Sequence, residues 1–82
     1  MSLRRIEERL AIILRNAEGW LPKDQLDDMQ SLVAAREPGV ALENFWTQLE
    51  EYDVDVPDSV RHEIKQIAAE MEMRPPHWIE RA

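Results

Sequence analysis

The stretch ALENFWTQLEEYDVDVP, residues 41–57, changes its periodicity partway, and the reading of that change decides the fold. Leu42, Phe45, Trp46 and Leu49 recur at spacings of three and four, so they form one apolar stripe of a helix, with Glu43, Thr47, Glu50 and Glu51 on the other side. After Tyr52 the order Asp53, Val54, Asp55, Val56 alternates with the two-residue period of a strand. That run is short, Pro57 stops it, and no other segment offers it a pairing partner. It reads as an extended loop, and the chain reads as all-α.

The same spacing rule extends outward. Leu3, Ile6, Leu10, Ile13, Leu14 and Ala17 predict an amphipathic helix over residues 2–17, with Ser2 as a possible N-cap and Gly19 as its stop. Leu26, Met29, Leu32 and Val33 predict a second helix from Pro22 to Ala35, with Pro22 in the first turn and Asp24 near the positive end of the helix. The Pro38-Gly39 pair ends any helical run before it. Beyond the loop, Asp58 or Ser59 is placed to cap a fourth helix whose stripe is Val60, Ile64, Ile67, Ala68 and Met71. Pro75 and Pro76 terminate that helix and leave His77-Trp78-Ile79 as a short tail or a single turn. The expected architecture is a compact bundle of four short helices, one domain over residues 1–82, with connections of about three to seven residues.

A chain of 82 residues buries a fraction of its surface near the low end of what folds unaided, and with no cysteine to staple it, packing between helices must supply the stability. The start, MSLRRIEERLAIILR, has basic residues and an apolar run, but Glu7, Glu8 and Arg9 interrupt it. It reads as neither a signal peptide nor a membrane span.

The net charge is −7, and its placement is uneven. Between Arg36 and Arg61 lie seven acids, Glu37, Glu43, Glu50, Glu51, Asp53, Asp55 and Asp58, and no base; the remaining ten acids balance ten Lys and Arg. A surface of this sign repels nucleic acid and anionic membranes at long range. Its natural partner is a cationic protein, and the plain alternative is solubility alone.

Chemistry has little to work with. Catalysis needs a nucleophile or metal beside a base, or paired carboxylates in a cleft. His62 falls opposite the Ile64 stripe and so faces solvent, His77 follows two prolines, and neither has a second His or a Cys at metal-ligand spacing. The acids around Asp53 and Asp55 lack the glycine and the set ligand positions of a helical calcium loop, because Val54, Val56 and Pro57 interrupt them. Gly19 and Gly39 stand alone, too few for a phosphate-cradling loop. Interleaved charges near the start read as surface pairs such as Arg4 with Glu8. No enzyme, no cofactor and no metal site is predicted.

Three tryptophans are many for this length. Trp46 lies in the apolar stripe and reads as core, while Trp20 in a turn and Trp78 in the tail read as closing the ends of the bundle.

Certain residues also carry a resemblance. Pro38-Gly39-Val40-Ala41-Leu42-Glu43-Asn44, then Gln48-Leu49-Glu50-Glu51-Tyr52-Asp53-Val54, then Val56-Pro57, and finally Met73-Arg74-Pro75-Pro76-His77-Trp78 resemble the MafI family of immunity proteins from bacterial polymorphic-toxin systems. The likeness covers residues 37–78. It implies a small cytoplasmic protein that binds and neutralises the toxic C-terminal domain of a cognate secreted or contact-delivered toxin. Phe45-Trp46 stands where such sequences often have a small residue or Cys, and Pro75-Pro76-His77 makes the approach to Trp78 more rigid.

The physical reading and the resemblance meet at the acidic surface. Nuclease toxins bind phosphate backbones and tend to be basic, so an inhibitor with charge of one sign gains fast, steered association. The expected partner is therefore a toxin C-terminal domain, with a nuclease as one candidate, held by Glu43, Glu50, Glu51, Tyr52, Asp53 and Asp55. Trp46, Tyr52 and Trp78 are the aromatic candidates for buried anchors, with Tyr52 foremost because it ends the helix beside the acids. The competing expectation is a structural or regulatory helical module, a homodimer or an adaptor subunit, which an exposed apolar patch around Ile12, Phe45 or Trp46 would favour.

Overall fold

Four helices of three to four turns and one of a single turn make up the computed structural model, which describes residues 3–80. They are α1 (Leu3–Asn16), α2 (Lys23–Ala34), α3 (Pro38–Glu51), α4 (Asp58–Glu70) and α5 (His77–Glu80). The chain is all-α, with four principal helices as the stripes predict; Ser2, the anticipated first cap, lies outside the described residues. No strand forms among the described residues, and an isolated bridge between Glu18 and Leu21 marks the turn after α1. The Asp-Val alternation nevertheless has a physical meaning. Val54 is half-buried and Val56 buried, while Asp53 and Asp55 are exposed, so an extended loop turns its valines inward without pairing.

Proline sets the helix starts. Pro22 and Pro57 occupy the N-cap positions of α2 and α4 with extended backbone, at φ −57° and ψ 142° for Pro22 and φ −58° and ψ 148° for Pro57. Each offers its carbonyl to the first helical N–H groups: Gln25 and Leu26 donate to Pro22, Val60 and Arg61 to Pro57. Pro76 does the same for Ile79 and Glu80 at the start of α5. The anticipated side-chain cap on α4 is thus corrected: Asp58 is the first helical residue, no side chain caps the helix, and the Asp58 carboxylate pairs with Arg61 one turn on. Pro22 likewise sits one place ahead of the first turn. Pro38, whose missing N–H is no loss at a helix start, opens α3, so the Pro38-Gly39 pair begins a helix as well as ending one.

The helix ends share a second device. Arg36, Asp53 and Glu72 have left-handed backbones, at φ 66°, 54° and 56°. In each case the next residue donates its N–H back across the last turn, Glu37 to Leu32 at 2.8 Å, Val54 to Leu49 at 3.0 Å and Met73 to Ala68 at 2.8 Å. This closure satisfies carbonyls that a helix end leaves open, and it usually uses glycine. Here three charged residues hold the position. Glycine serves only after α1, where Gly19 at φ 92° is the third residue of a turn closed by Trp20 donating to Ala17.

The core is one cluster drawn from all five helices and the loops. Leu10, Leu14, Leu42, Phe45, Leu49, Ile64, Ile67 and Ile79 are its largest fully buried side chains. α1 lies beside α2, α3 and α4, α3 lies beside α1, α2 and α4, and α5 lies beside α4 alone. Trp46 is buried and Trp20 and Trp78 are half-buried against the cluster, as their places in the sequence suggest. Leu3, at the head of the first stripe, is exposed instead.

Polar contacts tie the helices together at the rim of this core. Arg9 on α1 reaches Glu63 at 2.8 Å and Glu70 at 2.7 Å, two carboxylates seven residues apart and therefore on one face of α4. The hydrogen bond to Glu63 outweighs the opposing effect of burial and, with the charges of Glu63 and Glu70, raises the pKa of the Arg9 guanidinium. Arg36 approaches Glu7 at 3.6 Å, an ion pair beyond hydrogen-bond distance that leaves Glu7 Oε2 without a donor. The Arg4–Glu8 pair forms at 3.5 Å on the exposed face of α1.

Candidate partner-binding surface

The acids of the opening stretch sit on α3 and on the loop that leaves it. Glu43, Glu50 and Glu51 are exposed on the helix, and Asp53 and Asp55 are exposed beyond it. Glu43 and Glu50 share a face, but seven residues of helix separate their backbones by about 10 Å. Among the described residues none of these five acids forms an ion pair. The two bases that bound the segment in sequence are engaged elsewhere: Arg36 pairs with Glu7, and Arg61 with Asp58 and the Trp78 carbonyl.

The placement works against helix stability. The C-terminus of a helix carries partial negative charge, which favours Lys or Arg in the last turn. The last turn of α3 has no basic residue and carries Glu50 and Glu51, with Asp53 at the left-handed position just past it. A local rule broken without local compensation is expected at a functional or strained site.

Glu50 and Asp53 share a hollow. A surface cleft of about 230 Å³ is lined by Leu49, Glu50, Asp53, Val54 and Trp78, so one wall comes from the end of α3 and its loop and the other from α5. The backbone around the acids is fixed by the helix cap, with the Asp53 N–H donating to the Glu50 carbonyl at 3.1 Å. The opposite wall is fixed by cations of α4: Arg61 Nη1 donates to the Trp78 carbonyl at 3.4 Å and Lys65 Nζ to the Glu80 carbonyl at 3.3 Å. These are the free carbonyls of a one-turn helix, and positive charge at that end suits its dipole. Ile79 is fully buried beneath, so α5 is an integral wall and not a tail. The Trp78 indole N–H is shut off from solvent and has no acceptor among the described residues.

Tyr52 is the C-cap residue of α3 and is 48% exposed. Its hydroxyl accepts a hydrogen bond from Gln25 Nε2 of α2 at 3.2 Å. Trp46, named beside it as a possible anchor, is 7% exposed and belongs to the core, because its position in the apolar stripe turns it inward. Glu43, Glu51 and Asp55 lie outside the cleft lining. Sequence reading missed the cleft because its far wall depends on where α5 docks; the Pro75-Pro76 pair followed by Trp78-Ile79 was the available signal, two rigid residues delivering two apolar ones.

His62 is exposed on α4 with its ring 3.3 Å from Gln66 Nε2, and His77 is exposed at the start of α5. Among the described residues no group of three or more His, Cys, Asp and Glu could hold a metal ion, and no helix is long and apolar enough to cross a membrane. No protein-family model, curated protein or solved structure matches the chain.

Proposed function

We propose that the chain is an immunity protein of the MafI kind, which neutralises a basic bacterial toxin domain in the cytoplasm by direct association. The observation that carries this reading is the end of α3, where Glu50, Glu51 and Asp53 are exposed, form no ion pair among the described residues and are unfavourably placed for the helix. Unpaired charge of one sign speeds encounter with a cationic partner and fixes its orientation. Tyr52, half exposed among the acids, provides an aromatic contact whose ring is already held by Gln25 and so loses little freedom on binding. The resemblance over residues 37–78 points to the same class of partner.

The test is co-expression. The C-terminal domain of the cognate toxin should arrest growth alone, and this chain should restore growth and co-elute with it. Growth arrest undiminished by this chain would overturn the reading.

A second reading, a homodimer or adaptor subunit, rests on Ile12. It is 52% exposed on α1, beside a cleft of about 230 Å³ that Trp20 and Val60 also line. Phe45 and Trp46 lend that reading nothing, since both are in the core.

A further inference from the structure

The geometry points to the cleft between α3 and α5 as the receptor for one arginine side chain on the surface of the partner protein. Charge alone does not single it out, since Glu43, Glu51 and Asp55 are exposed as well. What distinguishes Glu50 and Asp53 is the hollow beside them, with Leu49, Val54 and Trp78 as its apolar lining. The occupant must be cationic at one end, to meet two carboxylates that form no ion pair among the described residues, and apolar along its stem, to cover the rest. Arginine fits better than lysine: its guanidinium is planar, weakly hydrated, able to lie on an aromatic face, and able to bond two carboxylate oxygens at once. Both walls are held before binding, one by the α3 cap and the other by Arg61 and Lys65, so little ordering is required when the side chain enters. In taking that arginine from a toxin, the inference rests on the immunity reading above.

Three capped tripeptides, identical except for a central arginine, lysine or citrulline, provide the probe, titrated into the isotope-labelled protein by NMR. The arginine peptide should shift the Trp78 indole N–H and the Val54 methyl signals, the lysine peptide should do so more weakly, and the uncharged citrulline peptide should leave them in place. Glu50→Gln with Asp53→Asn, both at exposed positions, should weaken the arginine effect by at least about tenfold while the Leu42 and Ile64 methyl signals stay at their folded positions. Equal shifts from arginine and citrulline would overturn the inference, as would an arginine effect undiminished in the double variant. Co-expression with the toxin domain separates the two readings. If the chain neutralises the toxin but the arginine peptide leaves Trp78 unmoved, the cleft assignment falls and the immunity reading stands. If the peptide fills the cleft but the chain does not neutralise the toxin, the reverse holds.

Discussion

Gln25 of α2 donates a hydrogen bond to the hydroxyl of Tyr52 at the end of α3, so the aromatic ring most exposed among the acids is held from the neighbouring helix. Tyr52→Phe should therefore lower stability only slightly, by about 0.5 kcal/mol, because the bond is exposed to water. Tyr52→Ala should cost the toxin complex more affinity than any single change among the surrounding acids, if the ring is the anchor. Urea denaturation of the free protein and titration calorimetry of the complex separate the two effects.

Glu50 and Glu51 set stability against binding. Changing both to Gln removes negative charge from the negative end of α3, and the free protein should gain about 0.3–1 kcal/mol per site at low salt. The same change, extended to Asp53→Asn and Asp55→Asn, should slow association with the toxin domain and flatten its salt dependence, with dissociation altered less. Stopped-flow mixing at low and high salt reads these rates. Unchanged rates would return the acids to the role of solubilising surface.

The left-handed caps give a paired comparison. Asp53→Gly and Glu72→Gly should each relieve backbone strain and stabilise the fold by up to about 1 kcal/mol. Only Asp53→Gly should weaken the complex, since Glu72 lies outside the cleft lining. Gly19→Ala should do the opposite and destabilise, because φ 92° strains any residue with a Cβ even though the space around it is open. Thermal melts of the three variants test the stability changes, and calorimetric titration of Asp53→Gly and Glu72→Gly with the toxin domain tests the difference in binding.

Truncation of the core should be severe. Leu42→Ala, Leu49→Ala and Ile64→Ala each leave a cavity at a fully buried site and should cost about 2–5 kcal/mol, a large share of what a domain this size possesses. Ile79→Ala should instead show first as increased hydrogen exchange in α4 and α5, since α5 lies beside α4 alone.

Arg9→Ala should cost roughly 1 kcal/mol, because the guanidinium and its two carboxylates are only partly withdrawn from water. The pKa of Arg9 is raised on folding, so its contribution is complete below the ordinary arginine value and is lost only as pH rises through the raised one. Denaturant midpoints of parent and variant should therefore differ by the same amount across the neutral and mildly alkaline range.

The legible parts of this fold are those where one physical rule acts alone. The stripes of Leu42, Phe45, Trp46 and Leu49 and of Ile64, Ile67 and Ala68 are buried because helical periodicity leaves them one face to share. The loop at Val54–Val56 was legible because a strand needs a partner. The caps were not. A carboxylate at Asp58 is a good N-cap in isolation, but Pro57 already holds the extended conformation and offers its carbonyl, so Asp58 is left to pair with Arg61. Arg36, Asp53 and Glu72 carry no sign in sequence that their backbones are left-handed, since the usual signal is glycine. At the candidate site the exposed acids follow from the stripe opposite them. Their division into Glu50 and Asp53 at the cleft and the rest outside it depends on where α5 lands, a contact between residues nearly thirty apart.

The cleft lies between two helices whose backbones make no direct contact. Its acidic wall ends α3, which lies beside α1, α2 and α4; its aromatic wall belongs to α5, whose backbone touches only α4. A ligand seated between them spans the gap like a rivet, adding a direct link between α3 and α5 to the indirect one that runs through α4. Occupation at one end of the molecule should thus be felt at the other, as slower opening of the α1–α4 seam where Arg9 grips Glu63 and Glu70.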